Sequence, residues 1–321
     1  MKVAAFALLL SLSSCSRYRD FTLPALTGPP ENIQWEWRAR PGPVFTRGEW
    51  DSVDVLNPSV IPYQRQLWNY YSGFDGKSWH TGLAISTDGL SWRRMGKILS
   101  ADGAYIAANG AAIAQGSEVF YYYQTGSSAQ IALARSTDGR NFRRASKLVL
   151  ELGPYGSWDE RGVADPYVVR QNNQLYLYYT GMDRALRQRL GVAVSSDGIT
   201  WYKLRDNPIL ELGEYGTRDA RGLGEPAVWS AYGSYWMLYT GRDRGEMRRL
   251  LLARSANGIH WHKQQLTISG GEPWDSQVIC DPTVIVEGDR VRVWFGGGDV
   301  ASPDENLHGQ IGYGELLRKA L

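Results

Sequence analysis

The sequence predicts an all-β chain built of repeated four-stranded units, and three observations carry that reading. Aromatic residues are abundant and skewed, with 13 Trp and 19 Tyr against 7 Phe, beside 36 Gly. Ring-bearing residues favour strands, and glycine favours the tight turns between them. No long stretch shows the 3.6-residue apolar period of a helix. Above all, three short motifs recur in the same order along the 321 residues, which is the mark of a repeat architecture.

The N-terminus reads as an export signal. Met1-Lys2 precedes an apolar run from Val3 to Leu12, about half of the ~20 residues that a bilayer span needs. Residues 1–14 are therefore expected to be a signal peptide. Leu12-Ser13-Ser14-Cys15 is similar to a bacterial lipobox, which implies Cys15 as the lipid-bearing first residue after cleavage. An ordinary signal peptide with an incidental Cys is the alternative. Residues 15–31, rich in Ser, Arg, Pro and Gly, are expected to be a flexible tether, and residues 32–321 a single domain. The expectation is a monomer, exported and lipid-anchored to the bacterial cell membrane on its periplasmic or surface face. Cys280 then lacks a partner and reads as a small buried hydrophobe.

The repeat unit has three signatures. Its opening reads Asn57-Pro58-Ser59-Val60, Asn109-Gly110-Ala111-Ala112, Asp165-Pro166-Tyr167-Val168, Glu225-Pro226-Ala227-Val228 and Asp281-Pro282-Thr283-Val284. An aromatic strand follows, ending Tyr71-Ser72-Gly73, Thr125-Gly126, Tyr179-Thr180-Gly181, Tyr239-Thr240-Gly241 and Phe295-Gly296-Gly297. Then comes a turn: Asp88-Gly89, Asp138-Gly139, Asp197-Gly198 and Asn257-Gly258, each leading to an aromatic residue at 92, 142, 201 and 261. The openings are spaced by 52, 56, 60 and 56 residues. Each unit reads as a Pro-started strand, an aromatic strand, an alternating strand and a fourth strand after the Asp-Gly turn. Five such units around an axis make a five-bladed β-propeller with four antiparallel strands per blade. The fifth unit lacks the turn and the last strand. Gln34–Arg38 is placed to supply a strand that closes the ring; a pair of β-sandwiches is the alternative.

Charge excludes some functions. Lys+Arg number 35 against 33 Asp+Glu, a net charge of +2, which argues against a nucleic-acid binder built on a basic field. No zinc spacing, phosphate loop, nucleophile elbow or nucleotide fingerprint is present. In a propeller the first strand of each blade lines the central channel, so Asn57, Asn109, Asp165, Glu225 and Asp281 converge there. Three converging carboxylates repel one another and shift their pKa values apart, as an acid beside a base or nucleophile requires. The plain alternative is that Asp-Pro merely starts a strand after a turn. Asp54 is a spare carboxylate near the same place.

The chain resembles the five-bladed propeller superfamily of glycosidases, families 32, 43, 62, 68, 117 and 130. The resemblance covers about residues 40–317 and rests on Asp165-Pro166, Glu225-Pro226 and the run from Tyr179 to Trp201. It implies a glycoside hydrolase acting on an extracellular or periplasmic carbohydrate, with Glu225 as general acid and Asp165 or Asp281 as base or nucleophile. It departs from the family pattern at Asn109, where the expected base is an Asn. A phosphate-dependent phosphorylase and a non-catalytic glycan-binding lipoprotein therefore stay open.

Further substrate-binding candidates are the Trp79-His80 platform, His308, and the paired Asp183-Arg184 and Asp243-Arg244, whose guanidinium forks suit phosphate, sulfate or uronate. Asp51, Asp159, Asp219 and Asp275 recur six residues before the openings. Three of them follow Trp50, Trp158 and Trp274. They read as sugar contacts or as turn caps between blades. No cofactor or catalytic metal is expected; a structural calcium in the channel is the one ion considered. The only membrane association expected is the lipid anchor.

Overall fold

The computed structural model describes residues 17–319, and Cys15 and the expected signal peptide lie outside them. Two short strands come first, β1 (Tyr18–Arg19) and β2 (Gln34–Ala39). Blade 1 follows as β3 (Asp54–Tyr63), β4 (Gln66–Phe74), β5 (Trp79–Ser86) and β6 (Arg93–Leu99). Blade 2 is β7 (Ile106–Gln115), β8 (Glu118–Thr125), β9 (Gln130–Ser136) and β10 (Arg143–Arg144). Blade 3 is β11 (Gly162–Gln171), β12 (Gln174–Met182), β13 (Gln188–Ser195) and β14 (Tyr202–Leu204). Blade 4 is β15 (Gly222–Ala231), β16 (Ser234–Arg242), β17 (Arg248–Ser255) and β18 (Trp261–Ile268). Blade 5 is β19 (Val278–Glu287), β20 (Arg290–Gly298) and β21 (Gln310–Lys319). Its outer strand is β2, which pairs antiparallel with β21 and closes the ring as the sequence predicts.

The core is five wedges rather than one centre. Five apolar clusters lie between neighbouring blades, as with Tyr70, Leu83 and Tyr121 between blades 1 and 2, and Tyr178, Leu190 and Met237 between blades 3 and 4, while a sixth, with Leu56, Ile106 and Cys280, joins blades 1, 2 and 5. The Asp-Gly turns latch the blades together. Tyr70, Tyr122 and Tyr178 donate their hydroxyls to the carbonyls of Gly139, Gly198 and Gly258 in the next blade, at 2.8–3.0 Å. Trp294 closes the cycle onto Gly89 at 2.7 Å. The equivalent residue in blade 4 is the apolar Leu238, because blade 5 has no such turn to receive a hydroxyl. Within the turns only glycine is left-handed, with φ of 74–76°. The Asp instead accepts the following backbone N–H groups, as Asp88 does from Leu90 and Ser91 at 2.8 Å.

The segment expected as a flexible tether is packed over its described part. β1 runs parallel to β14, Leu23 is buried against Gly258, and the Pro24 carbonyl accepts the Tyr235 hydroxyl at 2.6 Å. Its composition suggests a linker, but its few apolar side chains find a groove on blades 3 and 4.

Three of the four recurring Asp residues are internal braces, and the fourth, Asp275, accepts the Glu272 N–H at 2.9 Å in a capping box. Asp159 is buried and binds the Lys203 ammonium at 2.5 Å and the Tyr179 hydroxyl at 3.2 Å. Asp219 repeats this with Lys263 and Tyr239, and Asp51 with Arg94. The Trp before them covers the motif glycine: a Cβ on Gly181 would lie 2.2 Å from Trp158 Cζ3. Lys203→Met is expected to leave Asp159 buried without its cation and to cost about 3–5 kcal/mol, read by urea unfolding. A loss under 1 kcal/mol would contradict the brace.

Candidate functional site

The five axial residues do not open their strands, as expected from the sequence. Each is the fourth residue of its inner strand and sits at a β-bulge, where pairing skips from the residue before it to the second residue after. Asn57, Asn109, Asp165, Glu225 and Asp281 all have left-handed backbones, with φ of 47–54°. Such a conformation costs on the order of 1 kcal/mol at a non-glycine residue. It persists five times because the bulge re-aims a side chain out of the sheet and toward the axis. The prolines that follow occupy the unpaired place in the bulge, where no N–H is needed for the ladder. Blade 2 has Gly110 there, since a Cβ would fall 2.4 Å from the Tyr121 ring.

The hydroxyl of the Tyr-Thr-Gly motif supports this geometry. It accepts the N–H of the bulged residue in the next blade: Ser72 from Asn109 at 2.8 Å, Thr180 from Glu225 at 3.1 Å, and Thr240 from Asp281 at 3.3 Å. Blade 5 has Gly296 at this place, and the Asp281 carboxylate takes over. Its Oδ2 accepts the Asn57 N–H at 3.3 Å, and its Oδ1 accepts the Asn57 side-chain amide at 2.6 Å. Asp281 in turn donates its backbone N–H to Glu225 Oε2 at 3.1 Å, and the Cys280 thiol donates to Asp281 Oδ2 at 3.0 Å.

Two of the three carboxylates are pushed toward their protonated form. Burial and then the neighbouring Glu225 push Asp165 up to about 7, against the pull of the Thr180 hydroxyl. Burial and Glu225 likewise hold Asp281 well above the usual carboxylate range. Burial alone disfavours the charge on Arg248, but Glu225 and the groups around Asp281 outweigh it and hold the guanidinium above the usual arginine value.

A cavity of about 510 Å³ opens above this cluster. All five axial residues and Trp79 line it, together with Thr180, Gln188, Arg161, Arg221, Arg242 and Arg248. Of these, Thr180, Gln188, Arg161 and Arg221 were not singled out as funnel residues from the sequence, whereas Arg242 and Arg248 belong to the basic loop around Asp243-Arg244 that suits phosphate or an acidic sugar. Their signal was present as repetition: Arg161-Gly162 and Arg221-Gly222 are equivalent, as are Gln188 and Arg248. Parallel contacts such as Gln188↔Gly222 and Arg248↔Val278 set the start of a third strand beside the next blade's inner strand, and so into the funnel wall.

The other sequence candidates lie elsewhere. His80 is buried, bonded to Asp75 at 2.9 Å and accepting the Ala101 N–H at Nδ1. Asp183 and Asp243 cap their own loops, accepting backbone N–H groups from Arg187 and Met247. Arg184 and Arg244 stack on exposed tyrosines outside the cavity. His308 pairs with Asp299 at 2.7 Å, half exposed. Asp54 is buried and accepts the N–H groups of Asn306 and Gly309, both at 2.7 Å, so it pins the blade 5 loop rather than reaching the site.

The metal question has a chemical answer. Among the described residues, Glu225, Cys280 and Asp281 bring one ligand atom each within 4.8 Å of one another. Calcium takes six to eight oxygens. A thiol and the Arg248 guanidinium beside two carboxylates do not make such a shell, so no step is routed through calcium.

The fold is shared with known proteins. Residues 132–273 match the glycosyl hydrolases family 32 N-terminal domain. A solved glycoside hydrolase superposes with a TM-score of 0.71 at 16% identity, covering 88% of this chain and 94% of that one. The chain has the fold of the β-propeller glycosidase superfamily. A second glycosidase-type propeller, β-1,2-mannobiose phosphorylase from Listeria innocua, superposes at a TM-score of 0.67 and 11% identity, over 89% of this chain and 97% of that one. In sequence, an uncharacterised protein of Mycobacterium tuberculosis is 30% identical over 157 residues, 46% of this chain and 52% of that protein. A 1,2-β-oligomannan phosphorylase of a Thermoanaerobacter species is 31% identical over 121 residues, 35% of this chain and 40% of that enzyme. The chain spans about half the length, or less, of the curated relatives it matches.

Proposed function

We propose that this chain cleaves glycosidic bonds in the funnel, with Glu225 delivering the proton to the leaving oxygen. The carrying observation is the Asp165–Glu225–Asp281 cluster at the closed end of the cavity. Burial and then the neighbouring Glu225 push Asp165 up to about 7, so the cluster holds a proton near neutral pH. Asp281 is 6% exposed, with both carboxylate oxygens engaged by Asn57 and Cys280. Its part is to position Glu225 through its backbone N–H. The match to a glycoside hydrolase family over residues 132–273 supports the reading, and glycosidase propellers generally act without a cofactor.

One observation favours phosphorolysis over hydrolysis. The funnel wall at blades 1 and 2 carries Asn57 and Asn109, which cannot take a proton from water. Phosphate attacks without a base, and Arg161, Arg221, Arg242 and Arg248 line the same cavity. Two sequence and structural relatives are named as phosphorylases.

The test is sugar release by the chain from Ser16 onward on a panel of polysaccharides, with and without phosphate. Sugar 1-phosphate formed only with phosphate supports phosphorolysis; free sugar without phosphate supports hydrolysis. Glycan binding with no release under either condition would overturn the enzyme reading.

Gly296→Ser gives a finer check on the site. A Cβ there would lie 2.7 Å from Leu56 Cδ2 and 3.0 Å from both Asp281 Oδ2 and Cys280 Sγ. The substitution is expected to push the Asp281 carboxylate aside and lower kcat at least about tenfold, with strand content by circular dichroism retained. An unchanged kcat would remove Asp281 from the positioning role.

A further inference from the structure

Blades 3 and 4 carry a duplicated surface whose two exposed tyrosines the funnel chemistry does not use. Gly153-Pro154-Tyr155-Gly156-Ser157-Trp158-Asp159-Glu160-Arg161-Gly162 recurs as Gly213-Glu214-Tyr215-Gly216-Thr217-Arg218-Asp219-Ala220-Arg221-Gly222. Both loops are held closed by backbone bonds, Gly153 to Asp159 at 3.1 Å and Gly213 to Asp219 at 3.3 Å. Each presents a tyrosine to solvent: Tyr155 is 85% exposed and Tyr215 82%. Neither ring is loose. The Arg184 guanidinium lies 4.0 Å from the Tyr155 centroid and donates to its hydroxyl at 2.7 Å. Arg244 lies 4.5 Å from the Tyr215 centroid. Each tyrosine therefore has one face held by a cation and another open to water, an arrangement with no folding purpose in sight.

The charge of this rim is also uneven. The loops 154–161, 182–189, 214–221 and 242–249 hold ten Arg against seven Asp+Glu, an excess of three, while the whole chain has an excess of two. The basic surplus is thus concentrated here. The same loops reach the cavity through Arg161, Arg221 and Arg242, so a chain leaving the funnel on this side meets arginines first and then the tyrosine rings.

We propose that this rim is an accessory binding track for an acidic polysaccharide. Sugar rings stack on the open faces of Tyr155 and Tyr215, as pyranose C–H faces do on aromatic rings. Carboxylate or sulfate groups on the polymer pair with the Arg244 guanidinium and compete with Glu160, now 3.0 Å away, for that of Arg184. The proposal rests on the funnel being a glycan site and adds that its substrate is polymeric and anionic.

The test is affinity electrophoresis of the Glu225→Gln chain through gels containing polygalacturonate, chondroitin sulfate or fully methyl-esterified polygalacturonate. The first two separate carboxylate from sulfate; the third keeps the backbone and removes the charge. One or both charged polymers are expected to retard the protein, less so as salt rises. Adding Tyr155→Ala and Tyr215→Ala is expected to weaken that retention at least about tenfold in Kd. Both tyrosines are solvent-exposed, so the double variant should keep the parent's melting temperature. Retention by the neutral polymer as strong as by the charged ones overturns the proposal, as does no retention at all, or equal retention of the double variant. Release from short oligosaccharides reports the funnel separately. If wild type acts on them while no charged polymer is held, the rim fails and the funnel stands. If it acts on none but charged polymers are held through the two tyrosines, the funnel chemistry fails and the track stands.

Discussion

Replacing Glu225 by Gln is expected to reduce kcat for an unactivated glycoside by about a thousandfold. The amide keeps the shape of the side chain and can still accept the Asp281 N–H now seen at 3.1 Å. What it loses is the proton. A poor leaving group needs that proton in the transition state, whereas an aryl glycoside with an acidic phenol leaves almost unaided. The loss should therefore shrink to within about tenfold on such an activated substrate, which a general structural defect would not reproduce. An equal loss on both substrates would take the acid role away from Glu225.

The parts of this protein that were legible in its sequence are those that repeat. The five openings, the Asp-Gly turns and the aromatic strands each follow from local chemistry, and together they define the blades. The closing strand was legible because Gln34–Arg38 was a spare strand and blade 5 lacked one. The bulge was not, because a left-handed Asp or Glu leaves no mark in sequence; only the Pro after it hints that a ladder position is vacant. Thr180 and Thr240 stood in a recognised motif, but their hydroxyls serve the next blade, and that partner is visible only once the ring is closed. Arg184 and Arg244 mislead for a related reason. Sequence places them on the funnel face, but not whether they turn inward to the cavity or outward onto Tyr155 and Tyr215. The tether was read from composition alone, which misses that a few apolar residues, Phe21, Leu23 and Leu26, are enough to dock it.

Asp165→Asn is expected to stabilise the protein at pH 8 while impairing catalysis. At low pH the folded and unfolded chains both carry the Asp165 proton, and the site contributes its full stability. Between the ordinary carboxylate value and about 7, the unfolded chain has released that proton and the folded chain has not. Stability therefore falls as pH rises through this window, and the deficit is complete above about 7. At 1.36 kcal/mol for each unit of pKa difference, the penalty is on the order of a few kcal/mol. The Asn variant cannot ionise, keeps an oxygen for the Thr180 hydroxyl and spares Glu225 a like charge. Its melting temperature should stay flatter than wild type between pH 5 and pH 8 and exceed it at pH 8. A remaining slope belongs to Asp281, which burial and then Glu225 hold well above the usual carboxylate range. Parallel curves for the two proteins would mean that Asp165 titrates as an ordinary carboxylate. A crossing would show that the cluster holds three carboxylates together at a cost the fold does not need, which is what a site kept for proton transfer should display.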